Sequence, residues 1–442
     1  MVARAGLAFI GPPAAAIAAL GDQVASKELA VKAGVPVVPG VLKSIDDLND
    51  ALAAAEGIGY PLLLKPAAGG GGKGMRIVAS RDELAAAMQA ARAETRKAFG
   101  DERVFVEKYI PAARHVEIQI MADRHGAVIH LGERECSLQR RYQKIVEESP
   151  STAVDQDLRR RMGACACRLA REAGYVNAGT VEFILDPAGN FYFLEMNTRL
   201  QVEHPVTEMV TGLDLVELQL RVAAGEPLPL RQADVAWNGW AVEARICAED
   251  PARGFLPSTG MITRYSPAQG ANIRLDSGVE AGSLVSVFYD SLLAKVIAWG
   301  ETRQDAIDAL VRALNGYHIE GLATNVDFVN SILTHPEFVA GNLSTAFIES
   351  HFEKGLPKRP PPMERLHFMA MAATIVYHNR QSLTRESLKP MAARVGAAHA
   401  PQDCHPYMVR CRQDVFEICL RKDPPPHAWT VSVDGRAFAV TT

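Results

Sequence analysis

Five polar side chains at alternate positions, Glu195, Asn197, Arg199, Gln201 and Glu203, follow an apolar run that begins at Phe191. The residues between them, Met196, Thr198, Leu200 and Val202, with Leu194 before, are mostly apolar. Successive side chains of an extended segment point to opposite faces, so this spacing predicts a row of functional groups on one surface and apolar contacts on the other. Residues 180–185 form a second strand-like run, and residues 186–190 supply a turn, which predicts a β-hairpin with Glu182 roughly opposite Glu195. Facing carboxylates repel unless a cation lies between them. A small set of hard oxygen ligands suits Mg²⁺, which completes its shell with water and nucleotide phosphate. The alternative is a solvated edge with two unrelated glutamates, against which Phe183, Phe191 and Phe193 suggest a buried hairpin.

Two further stretches carry candidate chemistry. Residues 69–74 read Gly, Gly, Gly, Gly, Lys, Gly, which nominally satisfies G-x-G-x-x-G. The strand-like run from Met75 rules out the helix that a dinucleotide fingerprint needs, and no Ser or Thr follows Lys73 as a Walker loop requires. What remains is a strand, glycine flap and strand able to close over phosphates, or simply a flexible loop. Residues 133–144 are dense in charge and amide groups, and a solvated basic loop is their ordinary explanation.

These groups need a framework to position them. Residues 14–33 are helical in composition, stopping at Gly34; residues 46–56 and 81–97 predict two more helices, with short strands at residues 60–65 and 104–110. Strands are also expected at residues 115–120 and 128–131, and a helix over residues 159–174 would bury Cys165 and Cys167 for packing. Short β-like segments run from Trp237 to Trp299, residues 303–314 are amphipathic, and residues 357–362 are the clearest linker. Beyond it lie one helical stretch and several strands that end in a hairpin turning at Asp434 and Gly435.

At 442 residues the chain is too long for one ordinary core. Its 48% hydrophobic and 22% charged residues are those of an ordinary globular protein, and a net charge of −4 offers no electrostatic case for nucleic acid. Seven cysteines without metal spacing indicate a reducing compartment. No stretch approaches membrane-helix length, and Gly11, Pro12 and Pro13 interrupt the apolar N-terminus too early for a signal peptide.

In this order the pieces resemble the biotin carboxylase part of biotin-dependent acyl-CoA carboxylases, members of the ATP-grasp superfamily. The matching blocks are residues 9–12, Lys65 with the glycine flap, 106–109, 115–119, 133–141, 144–148 and, most specific, 195–208. Residues 238–245 and 342–348 look most like the α subunits of propionyl-CoA or broad acyl-CoA carboxylases. The implied fold is α+β: an ATP-grasp domain over residues 21–230 with a glycine-flap lid at about 40–110, and a biotin carboxylase C-terminal domain over 235–355. Residues 1–20 would be a remnant of an N-terminal nucleotide-fold domain, 356–362 a linker, and 363–442 a small, partial α/β tail of the kind that joins carboxylase to carboxyltransferase.

The implied chemistry is ATP-driven carboxylation of biotin by bicarbonate through carboxyphosphate. By that resemblance Lys65, Gly71, Gly72, Lys73, Gly74, Met75, Glu107, Lys108, His115, Gln139 and Ile184 would hold ATP, while Glu182, Glu195 and Asn197 would hold Mg²⁺ or Mn²⁺. Lys144, Arg199, Gln201 and Val202 would bind bicarbonate; Glu203 would be its general base, and Arg274 would stabilise the biotin enolate. The implied partners are a biotin-bearing carrier and a carboxyltransferase, in an oligomer in the cytoplasm or an equivalent compartment. No biotinylation site is present, so biotin is expected as a substrate not attached to this chain. Gln23 stands where the resemblance calls for a nucleotide-binding lysine, and Lys27, one turn on, is a candidate for partial replacement. Alternatives are another ATP-grasp carboxylate ligase or a truncated, catalytically silent ATP-binding subunit.

Overall fold

The computed structural model describes residues 2–41, 43–45, 47–67, 74–353, 362–392, 404–411, 414–423 and 428–441. They form two compact units, Met1–Leu356 and Pro357–Thr442. Gly71, Gly72 and Lys73 of the flap lie outside the described residues.

The run expected as one helix over residues 14–33 is two, α1 (Ala14–Gly21) and α2 (Gln23–Lys32). Asp22 divides them: its backbone is extended, and its carboxylate accepts the Val24 and Ala25 N–H groups as the N-cap of α2. Helix α3 (Leu48–Ile58), strands β1 (Leu62–Pro66) and β2 (Arg76–Val78), helix α4 (Arg81–Phe99) and strand β3 (Val104–Lys108) form a layer of their own, with strand order β2-β1-β3. Their apolar faces share one core containing Ala51, Leu62, Leu64, Leu84, Ala91 and Val106.

The larger sheet carries the rest. Strands β4 (Arg114–Ala122), β5 (Val128–Arg140) and β6 (Gln143–Ser149) precede helix α5 (Gln156–Glu172), then strands β7 (Asn177–Leu185) and β8 (Phe191–Asn197), helix α6 (His204–Thr211) and strand β9 (Trp240–Cys247). With strands Ile273–Ser277 and Leu292–Gly300 they make one eight-stranded antiparallel sheet; β9 pairs with β6 on one side and with Leu292–Gly300 on the other. Helix α5 covers one face through Leu158, Met162, Cys165, Ala166 and Leu169, so the two cysteines are packing residues, as predicted.

The charge-dense run at residues 133–144 is not a solvated loop. Most of it is the buried half of β5, because its charges find partners inside the sheet: Glu133 binds Arg159, and Glu135 accepts from Arg114 and Ser151. A tight turn at Arg141 and Tyr142, both at positive φ, joins β5 to β6 and brings Gln139 opposite Lys144.

In the second unit, helix Met363–Ala392 lays Leu366, Ala370, Met371 and Ile375 on a four-stranded antiparallel sheet, whose last two strands turn at Asp434 and Gly435. Cys404 and Cys419 lie side by side at the start of this sheet, with their Cα atoms 5.8 Å apart. Among the described residues no helix is long and apolar enough to cross a membrane.

Gly132 sits mid-strand in β5 at φ +88°, and a Cβ there would collide with the Trp237 indole. Gly132→Ala is therefore expected to lower stability by about 1–3 kcal/mol in urea unfolding, with loss of the Trp237 Nε1 to Leu131 hydrogen bond.

Candidate active site

Glu182 and Glu195 are register partners across β7 and β8, as the hairpin spacing predicts. The alternation expected through Glu203 stops earlier, because β8 ends at Asn197. Pro205 sits in the first turn of α6, and Glu203 is already its N-cap with a non-extended backbone, so the chain must leave the sheet in between. The functional groups converge all the same. Lys65, Met75, His115, Gln139, Lys144, Glu182, Glu195, Asn197, Arg199, Gln201, Val202 and Glu203 line one cavity of about 270 Å³, together with Gln23, Tyr142, Gln143 and Arg245.

Beneath it lies a fully buried guanidinium. Arg134 Nε donates to Glu117 (2.5 Å), Nη1 to Gln119 (2.7 Å) and Thr207 (3.0 Å), and Nη2 to Thr180 (3.1 Å) and Gln201 (3.0 Å). Each of its five N–H donors thus has an acceptor, drawn from β4, β7, α6 and the turn before α6. Gln201, so held, donates its amide to Glu182 Oε1 at 2.8 Å.

Lys144 is as fully engaged. Its Nζ donates to Glu117 (2.6 Å), Glu182 (3.1 Å) and Glu203 (2.5 Å), and these carboxylates hold its proton well above the ordinary lysine range against the opposing effect of burial. Burial opposes ionisation of Glu182 too, but Lys144 and His115, the latter 3.0 Å away, keep it well below the usual carboxylate range. Glu195 moves the other way: burial and the facing Glu182 raise it, with only Lys65 and a 2.7 Å hydrogen bond from Gln23 as the main offsets. Two juxtaposed carboxylates, one easily and one reluctantly ionised, together with the Asn197 side chain, are a donor set that fits a divalent cation.

At the other end Glu203 is buried and, against that burial, held low by Lys144, Arg245 and Arg134. Arg245 bridges Glu147 (Nε, 2.5 Å) and Glu203 (Nη2, 2.9 Å). Lys295 fixes the neighbouring peptide by donating to the Val202 carbonyl at 2.9 Å. Both cations belong to strands beyond β6, where no functional residue other than Arg274 was expected.

Several expected residues lie elsewhere. Arg274 is not in the cavity: it is bound to Glu208 (2.6 Å) and Asp276 (2.8 Å) beside a separate pocket. The arginine that touches Glu203 is Arg245, whose signal in the sequence is a pair of charges, Glu243 and Arg245, at alternate positions of an otherwise apolar strand. Lys27 does not replace a cavity lysine; it is buried in an ion pair with Glu107 and lies over the Phe105 ring. Glu107 itself stands behind the cavity, 3.3 Å from Lys65, and Lys108 donates to the Gly59 and Tyr60 carbonyls. Gly74 donates to Glu94, and Ile184 is on β7 opposite His115; neither lines the cavity.

Residues 22–231 match the family model described as carbamoyl-phosphate synthase L chain, ATP binding domain, and residues 243–350 match the biotin carboxylase C-terminal domain. Biotin carboxylase 1 of Bacillus subtilis is 48% identical over 344 residues, which is 78% of this chain and 76% of that protein. The chain belongs to the biotin carboxylase family. The propionyl-CoA carboxylase alpha chain of Ruegeria pomeroyi is 47% identical over 456 residues, 99% of this chain but 63% of its own length. The biotin carboxylase domain of Hydrogenobacter thermophilus 2-oxoglutarate carboxylase, solved as a dimer with MgADP, ADP and bicarbonate, superposes with a TM-score of 0.78 at 45% identity, covering 79% of this chain and 77% of that one. The fold is therefore the biotin carboxylase ATP-grasp fold, in which the layer built on β1 to β3 lies over one end of the cavity residues and the large sheet forms its floor.

Arg134→Lys keeps the charge and loses the five-donor fork, leaving buried acceptors without partners. It is expected to destabilise the protein by about 3 kcal/mol in denaturant unfolding, in the range for a broken buried pair.

Proposed function

We propose that this chain catalyses ATP-dependent carboxylation of biotin by bicarbonate, as the carboxylase part of an acyl-CoA carboxylase. The observation that carries the reading is the cavity itself, which joins a paired-carboxylate metal site at Glu182 and Glu195 to an oxyanion site at Lys144, Arg199, Gln201 and Glu203. Relatives of the acyl-CoA carboxylase alpha type and a bicarbonate- and MgADP-bound neighbour support it.

In this reading bicarbonate lies against Arg199, Gln201 and Lys144, where a planar guanidinium matches a planar anion. Glu203 accepts the bicarbonate proton while the freed oxygen attacks the terminal phosphoryl group of ATP, giving carboxyphosphate and ADP. Lys65, with Lys73 of the flap, balances phosphate charge, and Mg²⁺ held by Glu182, Glu195 and Asn197 supplies further charge neutralisation when bound. Glu203 is a weak base while Lys144 and Arg245 both grip it. An arriving anion that shares those two cations restores its basicity, so proton removal is tied to substrate occupancy. Carboxyphosphate then breaks to CO₂ and phosphate; that phosphate takes the proton from biotin N1, and N1 adds to CO₂. Arg245, rather than Arg274, is the group we assign to the developing enolate oxygen. It is shared between the main cavity and an adjoining one of about 390 Å³ lined by Val202, Ser286, Tyr289 and Asp290, a route for biotin.

The domain limits suggested by the sequence belong to the same proposal: residues 21–230 as ATP-grasp domain, 235–355 as C-terminal domain, and the second unit as a contact region for a carboxyltransferase. A biotin-bearing carrier and a carboxyltransferase are the proposed partners, in a reducing, cytoplasmic compartment that suits the buried thiols of Cys136, Cys165, Cys167 and Cys247.

Bicarbonate-dependent ATP cleavage with free biotin tests the assignment. Glu203→Gln is expected to lower kcat about 10²–10⁴-fold; Arg245→Ala should cost at least about 10²-fold, whereas Arg274→Ala should leave kcat within a few fold. A larger loss at Arg274 than at Arg245 would reverse the assignment, and equal losses would remove its basis. Burial brings the Lys65 ammonium down to about 8, with Glu195 and Glu182 opposing that fall. Because phosphate binding favours its protonated form, ADP affinity is expected to be level below pH 7 and to decline as pH rises through 8, by at most about tenfold per unit. Lys65→Gln should flatten that profile in calorimetric titrations.

A further inference from the structure

Gln23 holds a position in the cavity where charge decides how nucleotide and metal depend on each other. It is the first residue of α2, fixed by the Asp22 cap and by its own N–H, which donates to the Ala67 carbonyl at 3.0 Å. Its side chain is only 8% exposed and points into the cavity. The amide Nε2 donates to Glu195 Oε2 at 2.7 Å, while Oε1 is buried without a hydrogen-bond partner among the described residues. A buried amide oxygen left in this way calls for a donor that arrives with the ligand, such as a water on a hydrated cation.

We propose that Gln23 makes nucleotide binding depend steeply on the divalent cation, by holding Glu195 with a neutral amide and offering Oε1 to the cation's hydration shell. This rests on reading the cavity as the ATP and Mg²⁺ site. Of the lysines and arginines that line it, Lys144 is committed to three carboxylates and Arg245 to two, Lys65 lies 3.3 Å from Glu107, and Arg199 is held by the Leu200 carbonyl and Asn197. A lysine at position 23 would place a permanent positive charge on Glu195. That charge would neutralise the carboxylate, attract phosphate without metal and compete with the divalent ion. A glutamine does none of these, so most of the gain of pairing Glu195 with a cation is left to the metal. By linkage, metal then tightens nucleotide by the same factor that nucleotide tightens metal.

The test is calorimetric titration of ADP into the full chain, with and without Mg²⁺, for the wild type, Gln23→Lys and Gln23→Met. The ratio of the two ADP affinities is the quantity read. Gln23→Lys is expected to reduce that ratio about tenfold, within the usual span of coupling between sites, mainly by tightening ADP in the absence of metal. Gln23→Met, uncharged and of similar size but without the amide oxygen, is expected to leave the metal-free ADP affinity unchanged and to lower the ratio by no more than about threefold, through the lost contact to the cation's hydration shell. An unchanged ratio in Gln23→Lys, or equal losses in both variants, overturns the proposal while leaving the nucleotide site intact. Failure of the wild type to bind ADP under either condition overturns the reading of the cavity and this inference with it.

Discussion

A single buried guanidinium sets the geometry on which the cavity depends. Arg134 has no exposure, and a positive charge in that position would be severely destabilising without partners. Its satisfaction requires Glu117 and Gln119 on β4, Thr180 on β7, Thr207 on α6 and Gln201 in the turn between β8 and α6 to be in place together. The elements are thereby brought to one register, and the turn that leaves β8 is tethered from below. What stands above it, Lys144 over Glu117 and Gln201 against Glu182, inherits that position.

The same layer sets the electrostatics. Carboxylates from β4, β7 and the start of α6 surround Lys144, and Arg245 closes the ring from β9. Acidic groups therefore outnumber free cationic ones at the metal end, while at the Glu203 end cations predominate. A site polarised in this way has one end suited to a cation and the other to an anion, and the distance between them is bridged by side chains already held by hydrogen bonds. Little reorganisation is needed when ligands arrive.

Much of this was legible in the amino-acid order, for reasons that differ by residue. Glu182 and Glu195 face each other because hairpin register follows from turn length, a local property. The helices follow from apolar spacing, and even the error at residues 14–33 had a visible cause in Asp22, a strong capping residue inside a helical run. Arg199, Gln201 and Glu203 were found by alternation, although the strand that would justify it ends at Asn197; they reach the cavity by a turn instead. Residues 133–144 were hard to place because burial of charge is decided by partners far along the chain. Arg245 was missed for the same reason. It meets Glu203 only because β9 inserts beside β6, a neighbour relation that no local pattern encodes. Arg274 shares the alternating charged pattern of a strand, but Asp276 and Glu208 satisfy it outside the cavity.

The pairing of β6 with β9 carries one more implication. The two recognised family segments, residues 22–231 and 243–350, meet along Val146 to Ala244 and Glu147 to Glu243, paired neighbours in a single sheet. Two family descriptions cover them, but mechanically they are one plate. Separating them would bare the facing edges of β6 and β9 and part Arg245 from Glu203 at once. Each segment alone would therefore lack the strand that continues its half of the sheet.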